Sequence, residues 1–162
     1  LFHLGWIEKI PRIIGVQAEG SSVLAQAWQK NLKAEDIIKL DASTIADSIS
    51  SGLPRDRAKA LRAVRETNGA YVTVTDDEIV AAIPQVAQLT GVFAEPAAVA
   101  TFAGVQRAVQ SGVIDKEESV CLIMTGNGLK DVRRAQQSVA QGFRVKPDVE
   151  AVRDVLAQVR MQ

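Results

Sequence analysis

The residues best suited to chemistry lie in the run Ser119-Val-Cys-Leu-Ile-Met-Thr-Gly-Asn-Gly-Leu-Lys-Asp131, where an apolar stretch leads into a hydroxyl and a Gly-Asn-Gly turn. Thr125 offers a neutral donor and acceptor, Asn127 an amide, and Gly126 and Gly128 the conformational freedom and close backbone approach that a bound group needs. Two other apolar stretches end similarly, in Ala18-Glu19-Gly20 and in Thr75-Asp76. Ligands of open parallel sheets bind outside the carboxyl ends of the strands, so small and polar residues at these ends describe one wall of a crevice. The same residues also suit an ordinary strand-to-helix turn, with glycines supplying unusual backbone angles and Thr125 bonding a neighbouring carbonyl. A lone Gly-Asn-Gly does not separate the two readings.

These ends have to be delivered by strands and helices, and the pattern supplies both. Arg12–Glu19 is a nearly continuous apolar run closed by Gly20, which predicts a strand buried on both faces. Ser21 and Ser22 are placed to cap a helix reaching about Lys30. Thr44–Ile49 has the makings of a short helix, and Asp56–Asn68 predicts an amphipathic one ended by Asn68-Gly69. Ala70–Thr75 is β-branched and aromatic, a second strand. Thr75 and Glu78 have the spacing of a capping box, opening a helix to Leu89 or Thr90 in which Pro84 predicts a kink or break. Pro96 suits the first turn of the next helix, which ends near Gly112. Glu95 then stands at a helix N-terminus, where the helix dipole stabilises a carboxylate that has no catalytic role. Val120–Met124 predicts a third strand, and Asp148–Val159 a last helix.

Strands alternating with helices imply βαβ units, so the fold class is α/β with a parallel sheet. Three strands make a small sheet with edges to cover. The chain also starts at Leu1 with a sequence resembling the end of an uncapped amphipathic helix. Both features lead to the expectation that these residues are a piece of something longer.

Composition narrows the function classes. In 162 residues, Lys plus Arg and Asp plus Glu each total 19, giving a formal net charge of zero. A nucleic-acid or membrane-surface binder needs a cationic face, so neither partner is expected. No stretch is long and apolar enough to span a bilayer, which predicts a soluble protein. Cys121, the single cysteine, lies in an apolar run and reads as a buried thiol in a reducing, cytoplasmic setting. Asp76-Asp77 and Glu117-Glu118 read as solvated helix starts, His3 as a surface residue, and Arg55, Arg57 and Arg62 as a charged helix face. No metal-ligand spacing is present.

The order of several segments gives the chain a family likeness. Pro11-Arg-Ile-Ile-Gly-Val-Gln-Ala-Glu-Gly20, Thr44-Ile-Ala-Asp47, Tyr71-Val-Thr-Val-Thr-Asp-Asp-Glu-Ile79, Gly91-Val-Phe-Ala-Glu-Pro-Ala-Ala98 and Met124-Thr-Gly-Asn-Gly-Leu-Lys-Asp131 follow one another as in threonine synthases. The chain resembles the C-terminal part of those pyridoxal-phosphate enzymes over almost its whole length. The resemblance implies residues 1–162 of the cofactor-binding catalytic region, with a partial three-layer αβα parallel sheet of the fold-type II group.

Several site assignments follow from that resemblance. Thr125 would bond the pyridine nitrogen of pyridoxal phosphate, where a neutral hydroxyl leaves the nitrogen largely unprotonated. Gly126 and Asn127 would shape the pocket, Ala18 and Glu19 would lie beside the ring, and Glu95 would stand near the cofactor. Lys130 only echoes the family's Schiff-base lysine, which belongs to an upstream Ser-Phe-Lys-Asp-Arg-like motif. Neither that motif nor the glycine-rich phosphate loop occurs here, so none of these residues is expected to be catalytic and the segment alone is expected to be inactive.

For the complete enzyme, the resemblance implies conversion of O-phospho-L-homoserine and water to L-threonine and phosphate, in a cytoplasmic homodimer. One alternative is a serine or threonine dehydratase, or another β-replacement enzyme, of the same fold. Another is a non-catalytic regulatory or interaction domain.

Overall fold

A computed structural model describes residues 1–159. At its centre β1 (Ile14–Ala18) and β2 (Ala70–Val74) pair in parallel, with Ile14 opposite Ala70 and Ala18 opposite Val74. Successive strand residues face opposite sides of a sheet, and here each side receives its own helices. Tyr71 packs with Val23, Leu24, Ala27, Leu61 and Val64 of α1 (Val23–Gln29) and α2 (Arg57–Glu66). Ala18 and Val74 pack on the other side with Ile79, Ile83, Val86, Ala98 and Ala103 of α3 (Asp76–Thr90) and α4 (Pro96–Gln110). The result is a three-layer αβα arrangement. Burying residues such as Ile79 and Val74, both 0% exposed, stabilises it by roughly 1.5–3 kcal/mol each.

Local chemistry explains where the elements start and stop. Thr75 accepts from Glu78 N at 3.1 Å while Glu78 accepts from Thr75 N at 2.8 Å, forming the capping box that opens α3. Gly91 closes that helix at φ 72°. Pro84 lies inside α3 without breaking it, because Ile79, Ala82, Ile83 and Val86 are anchored in the core on either side. The small residues of α4 let it lie close to β1. A Cβ at Gly104 would collide with the Val16 side chain.

Neither serine caps α1. Ser22 Oγ donates to Glu19 O and Ser21 Oγ to Ile49 O, and the cap comes from β1: Gln17 Oε1 accepts from Leu24 N and Ala25 N, both at 2.9 Å. Asp76 is likewise more than a solvated helix start. Its carboxylate accepts from Thr44 Oγ1 at 2.5 Å and from Ile45 N at 3.1 Å, tying the 44–46 segment to α3. The short helix expected at 44–49 is a 3-10 turn at Asp47–Ile49.

The third strand does not form. Residues 120–124 have no regular structure; Met124 packs against the core, and Thr101 Oγ1 of α4 lies 3.8 Å from Met124 Sδ. An apolar segment becomes a strand only when a sheet edge accepts its backbone, and neither edge of the β1–β2 pair does so. Cys121 is therefore exposed, contrary to the buried thiol expected from its apolar neighbours. Two further helices follow, the short α5 (Val132–Gln137) and α6 (Val149–Val159), which starts where Asp148 Oδ1 accepts from Ala151 N at 2.8 Å.

Candidate functional site

The Gly-Asn-Gly turn is held against the entry to α4. Pro96 occupies the first turn of that helix and Glu95 is its extended N-cap residue, with its carbonyl accepting from Ala98 N and Val99 N. Immediately before it, Phe93–Glu95 pairs antiparallel with Gly126–Gly128. Glu95 N donates to Gly126 O and Gly128 N to Phe93 O, each at 3.0 Å, around an isolated bridge between Ala94 and Asn127. Asn127 Oδ1 accepts from Leu129 N at 2.9 Å and starts the next 3-10 turn.

Space, more than backbone angle, explains these glycines. The positive-φ glycines of the described residues are Gly5, Gly91 and Gly112, so Gly126 and Gly128 adopt conformations open to other residues. A Cβ at Gly126 would fall on the Glu95 carboxylate, and one at Gly128 on the Phe93 ring. Their small size lets the turn lie flat on residues 93–95.

A charge cluster closes the same contact from the side. The Glu95 side chain is only 7% exposed, and its carboxylate accepts from Lys130 Nζ at 2.9 Å and from Ser48 Oγ at 3.3 Å. Lys130 Nζ also donates to Ser48 Oγ at 3.3 Å. Glu95 makes no side-chain cap to its own helix, so its carboxylate serves this long-range pair instead of the helix end alone. A small cleft of about 210 Å³ opens beside the cluster, lined by Ile45, Ser48, Glu95, Ala97, Lys130 and Asp131, among others.

The structure thus brings Glu95 and Gly126 into direct contact, with Asn127 bridged to Ala94 beside them. Thr125 is exposed at the mouth of the turn, and among the described residues its hydroxyl has no hydrogen-bond partner. Ala18 is fully buried at the carboxyl end of β1, in the same apolar cluster as Ala94 and Ala97 behind the turn. Glu19 is exposed, its carbonyl accepts from Ser22, and among the described residues no hydrogen bond joins it to the turn. Sequence reading set Lys130 aside as an imitation of a Schiff-base lysine and did not single out Ser48. Pairs separated by 35 and 47 residues leave no periodic trace, although a lysine soon after a turn that packs on a glutamate was a usable signal. His3 is exposed beside the edge of Phe2, and among the described residues no cluster of His, Cys, Asp or Glu has the makings of a metal site.

The family model for pyridoxal-phosphate dependent enzymes matches residues 1–126. The threonine synthase of Methanocaldococcus jannaschii is 34% identical over 156 residues, covering 96% of this chain and 38% of the relative. That of Methanosarcina acetivorans is 35% identical, covering 94% and 38%. That of Halalkalibacterium halodurans is 37% identical, covering 87% and 37%. This chain therefore spans well under half the length of these curated relatives.

Among solved structures, the processed form of threonine deaminase isoform 2 from Solanum lycopersicum superposes with TM-score 0.64 at 23% identity, covering 79% of this chain and 35% of that one. A second threonine deaminase, from T.th., gives TM-score 0.55 at 19% identity, covering 72% and 39%. These likenesses establish the fold-type II architecture, of which the small parallel sheet here is a part.

The residues present fit the ring of pyridoxal phosphate, the cofactor the family implies. A planar aromatic ring needs small neighbours and a neutral partner for its nitrogen, and the turn supplies Gly126 and an exposed Thr125 hydroxyl. Lys130 is engaged with Glu95. The chain belongs to the family of pyridoxal-phosphate dependent enzymes.

Proposed function

We propose that residues 1–162 form the C-terminal portion of the catalytic region of a threonine synthase. The complete enzyme would convert O-phospho-L-homoserine and water to L-threonine and phosphate, as a cytoplasmic homodimer. The observation that carries this reading is the turn itself: an exposed Thr125 hydroxyl, without a hydrogen-bond partner among the described residues, presented by a Gly-Asn-Gly segment that is fixed on residues 93–95, in a chain 34–37% identical to proteins named threonine synthase.

When bound, pyridoxal phosphate supplies the electron sink for carbanion chemistry at the substrate. Thr125 would contact the ring nitrogen without placing a charge there, and Gly126 would keep the adjoining wall thin. Ala18 ends β1 without side-chain bulk, and Glu19 and Asn127 would border the pocket. Glu95 stands behind the turn and supports it. Proton transfer and covalent attachment fall to residues outside this segment, so the segment alone is inactive.

The fold likeness to two threonine deaminases favours a second reading, a dehydratase that releases 2-oxobutyrate from threonine. Product analysis separates the two. With O-phospho-L-homoserine, the intact protein should release threonine and phosphate in equal amounts. Conversion of threonine to 2-oxobutyrate without any threonine formation from phosphohomoserine would reject the leading reading.

A further inference from the structure

We infer that Lys130 is a positioning residue for the cofactor-facing turn, acting through Glu95. The inference rests on the proposed placement of Thr125 against the pyridoxal-phosphate ring. The turn is attached to the rest of the molecule by few contacts: the two backbone bonds Glu95 N to Gly126 O and Gly128 N to Phe93 O, and the packing of Gly126 and Gly128 on the Glu95 and Phe93 side chains. All of them meet the 93–95 segment, and Glu95 has a part in half of them.

Glu95 can serve as that platform only while its carboxylate is held in place. It is 5% exposed overall, so water compensates little of its charge, and the charge-bearing partner is Lys130, reaching back from the residue two beyond Gly128. Ser48 completes the arrangement by accepting from Lys130 and donating to Glu95. Lys130 therefore closes a loop in which the chain leaving the turn grips the residue on which the turn rests. Opening that grip frees the Glu95 side chain from the face of Gly126 and loosens Thr125, which has no bond of its own to steady it among the described residues. The Lys130 side chain is 58% exposed, so its replacement does not open a cavity.

The test uses the intact protein with Lys130→Met, Lys130→Arg, Glu95→Gln and the Lys130→Met/Glu95→Gln double variant. Two readouts are taken: amide hydrogen exchange of the cofactor-free protein, and the dissociation constant for pyridoxal phosphate by spectral titration. Lys130→Met should speed exchange at the Glu95 and Gly128 amides and weaken the cofactor about five- to tenfold, while Ile83 in α3 exchanges at an unchanged rate. Lys130→Arg should restore both values. In the Glu95→Gln background, Lys130→Met should have no added effect, because its partner charge is gone.

Unchanged exchange in Lys130→Met, or an undiminished effect in the Glu95→Gln background, would overturn the inference. So would faster exchange with unaltered cofactor affinity, since the turn would then be clamped for some other purpose. None of these results requires the enzyme to make threonine, so failure of the proposed reaction is detected separately, by product analysis of the unsubstituted protein.

Discussion

Gly126 lies directly on the carboxylate of Glu95 while its carbonyl accepts from the Glu95 backbone N–H at 3.0 Å. One residue thus touches both the main chain and the side chain of the other, and the contact leaves no room for a methyl group. Gly126→Ala should push the turn off the start of α4. We expect a loss of about 1–3 kcal/mol in urea-induced unfolding, with weaker pyridoxal-phosphate binding measured on the same variant.

Gly104 gives a second case in which size outweighs propensity. Alanine is favoured over glycine inside a helix by about 1 kcal/mol, but here its methyl group would collide with Val16 of β1. Overpacking of this kind costs about 1–3 kcal/mol. Thermal unfolding of Gly104→Ala should show a net destabilisation; a higher melting temperature would show that α4 has slack against the sheet.

Thr75 joins the end of β2 to the start of α3 through its capping box. Thr75→Ala leaves Glu78 N without its acceptor and should lower stability by about 1 kcal/mol in chemical denaturation. Thr75→Ser keeps the oxygen and should recover most of that loss.

The pH dependence of stability has an alkaline component at Tyr71. Burial pushes its phenol above the ordinary value of 10.0, with the nearby Arg65 guanidinium pulling weakly the other way. The folded state therefore prefers the neutral phenol. Its contribution is complete below the unfolded value near pH 10 and is lost as pH rises through the folded one, at up to about 1.4 kcal/mol per pH unit. Urea midpoints of the unsubstituted protein should fall faster than those of Tyr71→Phe above about pH 10. Parallel falls would remove Tyr71 from the account.

The two paired strands, four long helices and the Thr75 capping box were legible because each rests on neighbours in sequence. β-Branched and aromatic composition marked β2, and apolar residues among alternating charges marked α2. What failed needed partners far along the chain. Val120–Met124 has the composition of a strand but pairs with neither edge of the β1–β2 sheet; Ile123 is 70% exposed and Cys121 is exposed beside it. The cap of α1 comes from Gln17 on β1, where a sequence rule looks to Ser22.

The site divides along the same line. Thr125, Gly126 and Asn127 stood out by type and spacing, and Glu95 and Gly126 do meet. The glycines are needed for close approach and not for left-handed angles, a distinction that only the Glu95 and Phe93 side chains reveal. The Lys130–Glu95–Ser48 cluster assembles three separate parts of the chain, which no periodicity marks.

The central claim, that the Thr125 hydroxyl faces the cofactor ring nitrogen, is tested most directly by nitrogen-15 NMR of the intact protein loaded with ring-labelled pyridoxal phosphate. The unsubstituted protein should show the resonance of a largely unprotonated pyridine nitrogen, and Thr125→Asp should move it toward the protonated position. A resonance that is identical in the two proteins would place Thr125 away from the ring and contradict the account.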